Sequence, residues 1–149
     1  MHDHIEKYIE LNTSITRVWQ ALTDYREFGQ WFRVALTAPF EEGKKTQGNI
    51  TYSGAEHLKM TVTVDKIIPY SYFSFKWHPY AINPDYDYSH ENQTLIEFTL
   101  KSRNTGTLLT VKESGFSQIP KSRRDEAYKM NNHGWEIQMN NISEYLKTN

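Results

Sequence analysis

One carboxylate in this sequence lies where an apolar side chain is expected. The stretch TLLTVKESGF, residues 107–116, alternates as a half-buried strand does, and Glu113 shares a face with Leu109 and Val111. Burial would raise the pKa of Glu113, so that it could bind a polar ligand group or transfer a proton. A second reading is an edge position near solvent. A third is an ion pair with basic residues at the start of the last predicted helix: Lys121, Arg123 and Arg124.

The histidines and short motifs of the sequence indicate no metal, cofactor or nucleophile site. None of the six histidines forms the i, i+4 helical pair that metal hydrolysis uses. His78 and His90 flank a long irregular segment and could meet at a cavity mouth, or be solvated loop residues. The sequence has no GxSxG, GxGxxG or Walker motif. We therefore predict no metal site, no cofactor and no serine nucleophile.

Large flat side chains are frequent, since aromatic residues make up 14% of the chain. Such residues fill a core or line an apolar cavity, and the two uses look alike in a sequence. The predicted ligand-binding residues are Tyr52, Met60, Phe75, Trp77, His78, Phe98, Glu113, Gly134, Trp135 and Met139.

The elements that position these residues follow from hydrophobic periodicity. Residues 4–11 alternate as a strand, and two short helices follow, one capped by Thr13 or Ser14 and one starting near Asp24. From Val34 to Phe116 the pattern is β, with short polar turns such as EEGKKTQG at 41–48. The segment from His78 to Asn92 is the one long irregular connection.

The period changes to helical after Pro120. A stripe of about 24 residues predicts one long amphipathic helix, containing Ala127, Met130, Asn131, Gly134, Trp135, Gln138, Met139, Ile142, Tyr145 and Leu146. A curved antiparallel meander covered by this helix leaves space between the two. Gly134 indicates either close approach of a ligand or tight helix–sheet packing. The sequence thus predicts a single α+β domain over residues 1–149, with six to seven strands wrapped around the long C-terminal helix.

Composition and charge restrict the partners and the cellular location that we predict. The formal charge is −1, from 17 basic and 18 acidic residues, so we expect no nucleic-acid partner. There are no cysteines, the N-terminus is charged, and no run of about 18 apolar residues occurs. These features predict a cytoplasmic protein without stable membrane anchoring.

Several segments together resemble the activator of heat-shock protein 90 ATPase homologue family, within the START-like or birch-pollen-allergen-like (SRPBCC) superfamily. The segments that carry the resemblance are VWQAL (18–22) with Trp31, the turn glycines Gly43 and Gly48, IIPYSYFSFKW (67–77), TGTLLTVKESGF (105–116) and HGW (133–135). The resemblance implies a helix-grip fold with a cavity between sheet and helix, and implies no single activity.

Three functions remain open at this point. The first is binding of a small hydrophobic ligand, lipid-like or aromatic, in the cavity. The second is a stress-response role, stimulating a heat-shock chaperone ATPase through an exposed surface. The third is an enzyme that uses Glu113 or a histidine for general acid–base chemistry on a cavity-bound substrate.

Overall fold

A computed structural model describes residues 3–149. Its elements are β1 (His4–Leu11), α1 (Ile15–Thr23), α2 (Tyr25–Phe32), β2 (Val34–Leu36), β3 (Lys45–Ile50), β4 (Lys59–Ile68), β5 (Tyr72–Trp77), β6 (Thr94–Arg103), β7 (Gly106–Ser114), a 3₁₀ turn (Phe116–Gln118) and α3 (Lys121–Thr148).

The seven strands form one antiparallel sheet in the order β1-β7-β6-β5-β4-β3-β2. β1 therefore pairs with β7 rather than with β2, because the two short helices carry the chain across to the far edge of the sheet. The sheet, the long C-terminal helix and the two short helices after β1 confirm the predicted helix-grip fold.

Local sequence explains the two short helices. The hydroxyl oxygen of Ser14 accepts a hydrogen bond from Arg17 N at 3.2 Å, which caps α1. The carboxylate of Asp24 accepts from Arg26 N at 2.9 Å and caps α2. Gly29 is needed within α2, because a Cβ there would lie 2.3 Å from the carbonyl oxygen of Val34.

The core lies between the sheet and the helices. Each central strand turns alternate side chains inward, as the sequence predicts, and the fully buried members include Val62, Phe73, Phe75, Ile96, Phe98, Leu109 and Val111. α3 has 28 residues, about 42 Å at 1.5 Å per residue, and crosses this face. Ala127, Trp135, Gln138, Met139 and Ile142 are its buried residues.

Two details differ from the sequence prediction. β3 begins at Lys45, inside the segment predicted as a turn, because pairing with β4 overrides the polar composition of KTQG. Met130 is 42% exposed, although the sequence pattern places it on the amphipathic stripe of the last helix. It lies at the margin of that stripe, where 3.6 residues per turn directs its side chain away from the core. No helix within residues 3–149 is both long and apolar enough to cross a bilayer.

Candidate functional site

A cavity of about 390 Å³ lies where the ends of β4 and β5, the long β5–β6 loop and α3 meet. Its walls are mostly apolar or aromatic and comprise Phe32, Ile50, Leu58, Lys59, Met60, Thr61, Trp77, His78, Tyr80, Ala81, Ile82, Tyr88 and Asn131. A smaller space of about 170 Å³ shares Phe32, Trp77 and Asn131 with it and reaches inward to Gly134, Trp135 and Gln138. The two spaces therefore adjoin, and we call them the outer and the inner cavity.

Gly134 faces open space. A Cβ placed on it would meet no atom within 4 Å, apart from its own helix backbone and chain neighbours. Tight helix–sheet packing, one of the two explanations predicted for this glycine, is therefore wrong. The missing side chain leaves the inner cavity open instead.

Three aromatic rings form the wall of the inner cavity. The indoles of Trp77 and Trp135 are stacked with their centroids 5.7 Å apart and their planes at 23°. Phe32 packs edge-on against both, at 6.1 and 6.0 Å. One indole comes from β5, the other from α3 and the phenyl ring from α2, so three separate elements fix this wall.

Glu113 lies directly behind the two indoles and is completely buried. Trp77 Nε1 donates to its Oε2 and Trp135 Nε1 to its Oε1, both at 2.8 Å. The hydroxyl of Thr94 donates to Oε2 at 2.5 Å, and Asn131 Nδ2 donates at 3.0 Å to Oε1 and at 3.2 Å to Oε2. The carboxylate, on β7, thus links β5, β6 and α3 at the cavity wall.

Burial raises the pKa of Glu113, and this effect outweighs the lowering by hydrogen bonds from Thr94, Trp77, Trp135 and Asn131. All four donors are neutral groups, so no positive charge offsets the loss of hydration. Because both oxygens are covered by donors, proton transfer to a substrate would require one donor to move. The geometry is that of a carboxylate holding a wall in place.

Arg123, near the start of α3, anchors the long loop that lines the outer cavity. Its Nη2 lies 2.7 Å from Glu91 Oε1, and its Nη1 donates to Pro79 O at 2.6 Å. The guanidinium also lies over the ring of Tyr88, 4.8 Å from its centroid. The loop is therefore anchored to the helix at both of its ends.

The ion pair predicted as an alternative for Glu113 is formed by a different carboxylate. Burial pushes the pKa of Glu91 up, but hydrogen bonds from Arg123 and Tyr86 and the charge of Arg123 outweigh burial and lower it overall. Glu91 is thus held as the anion. Arg123 donates to Glu91 and Arg124 donates to Ile119 O. None of Lys121, Arg123 and Arg124 is among the groups that donate to Glu113.

Five of the ten predicted ligand-binding residues line the two cavities, namely Met60, Trp77, His78, Gly134 and Trp135. Glu113 lies behind their wall. The remaining four lie elsewhere. Phe75 and Phe98 are fully buried beneath the indoles, and Met139 lines a separate groove beside β1. Tyr52 is 39% exposed and accepts from Asn141 Nδ2, because the chain turns outward after β3.

The prediction missed the residues that the long loop and α2 contribute. Phe32, Tyr80, Ile82 and Tyr88 line the outer cavity, and none has a sequence pattern that separates it from core or loop. Asn131 does carry a signal. It is a polar residue on the apolar stripe of α3, one turn before Trp135, and this position places it at the wall.

Other surfaces fit a ligand site less well. A depression of about 600 Å³ outside α2 and β2 includes Arg26 and Arg33 in its walls and shares no lining residue with the outer or the inner cavity. Among residues 3–149, no group of three or more histidine or acidic side chains is arranged to hold a metal ion.

Comparison with solved structures identifies the same fold in several proteins. DynU16, a protein of the dynemicin biosynthetic locus, is 24% identical with a TM-score of 0.76; the match covers 99% of this chain and 48% of DynU16, so this chain spans about half of that protein. MLL2253 from Mesorhizobium loti is 19% identical with a TM-score of 0.76 and 97% coverage of both chains. The Aha1 dimer from Colwellia psychrerythraea is 17% identical with a TM-score of 0.68, covering 95% of this chain and 93% of that one.

Comparison with curated proteins gives no match. The family described as Activator of Hsp90 ATPase homolog 1-like protein matches residues 12–147, almost the whole chain. With the helix-grip fold, that match shows that the chain belongs to the Activator of Hsp90 ATPase homolog 1-like protein family.

Proposed function

We propose that this protein binds a small hydrophobic ligand, aromatic or lipid-like, in the two adjoining cavities between α3, the sheet and the long loop. The observation that carries the proposal is Gly134. A glycine in the middle of a 28-residue helix costs about 1 kcal/mol relative to alanine, and no neighbouring atom requires it. Its effect is to keep the inner cavity open.

The dimensions and walls of the site support this function. The outer cavity of about 390 Å³ lies within the range of small-molecule sites, and its walls are apolar with a few polar groups. Burial of apolar ligand surface contributes about 25 cal/mol per Å² before the costs of immobilisation. A planar ring system of modest size would contact Phe32, Trp77 and Trp135 together.

Native mass spectrometry of protein purified from its own host tests the proposal. We expect a co-purified small molecule that denaturation releases. A library of aromatic and lipid compounds should also change the tryptophan fluorescence, because Trp77 and Trp135 form the wall. Trp77→Phe should reduce that change, and Trp19→Phe, which removes an indole outside the cavities, should preserve it. Absence of both a co-purified molecule and a fluorescence response would refute ligand binding.

Stimulation of a chaperone ATPase is a second candidate, favoured by membership of a family named for that activity. It would use an exposed surface and needs nothing in the cavity. An ATPase assay with the heat-shock chaperone of the same host decides it. Unchanged turnover at saturating protein would exclude the activity.

A further inference from the structure

The polar atoms of the cavity wall carry information about the ligand. The N–H groups of Trp77 and Trp135 both point at Glu113, away from the cavity. The Gln138 amide donates to Phe32 O at 3.0 Å and accepts from Asn141 at 3.2 Å. The polar groups of these three wall residues are therefore already engaged within the protein.

Asn131 lines both cavities, and Glu113 fixes the orientation of its amide. A carboxylate only accepts hydrogen bonds, so the NH₂ group of Asn131 must face it. A neutral Glu113 keeps this orientation when its proton lies on Oε2 and is directed at Thr94, because Oε1 then still accepts from Asn131. The amide oxygen, Oδ1, therefore points away from Glu113, and no group within residues 3–149 donates a hydrogen bond to it.

His78 adds a second acceptor on the loop side of the outer cavity. Its Nε2 lies 3.1 Å from the carbonyl oxygen of Glu91, which can only accept, so Nε2 carries the proton. In the neutral ring, Nδ1 then has a free lone pair, and no residue in 3–149 donates to it. The apolar outer cavity is thus lined by two residues with an acceptor atom that lacks a protein donor: Asn131, oriented by Glu113, and His78, oriented by the carbonyl group of Glu91.

The geometry points to a neutral ligand with an apolar ring system that donates a hydrogen bond from a hydroxyl or N–H group to Asn131 Oδ1. This inference rests on the proposed function. A ligand without that donor would leave a polar oxygen desolvated and unpaired on binding. The charged group of an anionic ligand only accepts hydrogen bonds, so it could not pair with Asn131 Oδ1. It would also lose its hydration in an apolar cavity. Within residues 3–149, the one cationic side chain that lines the outer cavity is Lys59, which is exposed at the rim.

Four probes of nearly equal shape test this assignment: 2-naphthol, naphthalene, 2-methoxynaphthalene and 2-naphthoate. Tryptophan fluorescence titration of the full chain gives a Kd for each. We expect 2-naphthol to bind about two- to tenfold more tightly than 2-methoxynaphthalene, the range that one net hydrogen bond provides. We expect 2-naphthoate to bind at least about tenfold more weakly than 2-naphthol.

Two variants assign the preference to the amide. Asn131→Leu removes the oxygen at similar volume and should abolish the difference between 2-naphthol and 2-methoxynaphthalene. Asn140→Leu makes the same change on the same helix at an exposed position beside β1, and should preserve that difference. Melting temperatures show whether each variant is folded, and the wild-type comparison decides the assignment even if Asn131→Leu does not fold.

The outcomes separate the two proposals. Equal affinities for 2-naphthol, naphthalene and 2-methoxynaphthalene would overturn the donor requirement while leaving ligand binding intact. Tighter binding of 2-naphthoate than of 2-naphthol would overturn it in favour of an anion held by Lys59. Absence of binding by all four probes would overturn both the requirement and the binding of aromatic ligands in this cavity.

Discussion

Filling the inner cavity from the helix side should make the protein more stable and less able to bind. Gly134 is the position for this change, because a Cβ there meets no atom within 4 Å and the adjoining space measures about 170 Å³. Gly134→Ala adds one methyl group, and Gly134→Leu adds a side chain that occupies much of the inner cavity.

The two variants should differ in binding more than in stability. Alanine removes the helix cost of glycine and should raise the free energy of unfolding by about 1 kcal/mol. Leucine has nearly the same helix preference and buries apolar surface as well, so we expect a gain of about 1–2 kcal/mol. Gly134→Leu should weaken 2-naphthol binding at least about tenfold, whereas Gly134→Ala should change it less than threefold, since a methyl group fills little of the space.

Urea unfolding measures the stabilities, and fluorescence titration with 2-naphthol measures the affinities. Asn140→Leu is the control for helix preference alone, because it lies on the exposed side of α3 and should retain full affinity. A loss of several kcal/mol in Gly134→Leu would indicate overpacking and would show that the space is absent. Full affinity in a stable Gly134→Leu protein would show that the ligand binds elsewhere.

Further predictions concern the two buried carboxylates. Because the folded-state pKa of Glu113 lies above its ordinary value of 4.5, the folded protein holds more protons than the unfolded chain as pH rises from that value. The free energy of unfolding should therefore fall from about pH 4.5 upward, by at most about 1.4 kcal/mol per pH unit. Glu113→Gln should lack this fall in urea titrations, and parallel profiles of the two proteins would contradict the raised pKa. Arg123→Met should release Glu91 and speed amide hydrogen exchange in residues 78–93 about tenfold or more, while the sheet peptides stay protected. Arg124→Met, which loses only a contact to Ile119 O, is the control, and equal exchange in both variants would show that Arg123 does not anchor the loop.

The strands and long helix could be predicted because their burial repeats at short range. Met60, Val62 and Val64 alternate on β4, and Trp135, Gln138, Met139 and Ile142 repeat at helical spacing on α3. β3 could not be delimited in this way. Lys45 and Thr46 look like turn residues, and their strand conformation comes from pairing with Thr63 and Val62.

The candidate site was only partly predictable, since it is built from contacts between distant segments. The inward direction of Glu113 followed from the alternation of β7. Its partners did not, because Trp77 lies 36 residues before it and Trp135 22 residues after it. The position of the long loop depends on Arg123, 32 residues beyond Glu91, and no local pattern indicates that pair.

NMR titration of the isotope-labelled protein with 2-naphthol tests the central claim most directly. The indole N–H signals of Trp77 and Trp135 and the backbone amide of Gly134 report on the inner cavity from two sides. Ligand binding between sheet and helix predicts saturable shifts of all three signals with one common Kd. Absence of saturable shifts, or shifts confined to the groove of Tyr8 and Met139 beside β1, would contradict the account.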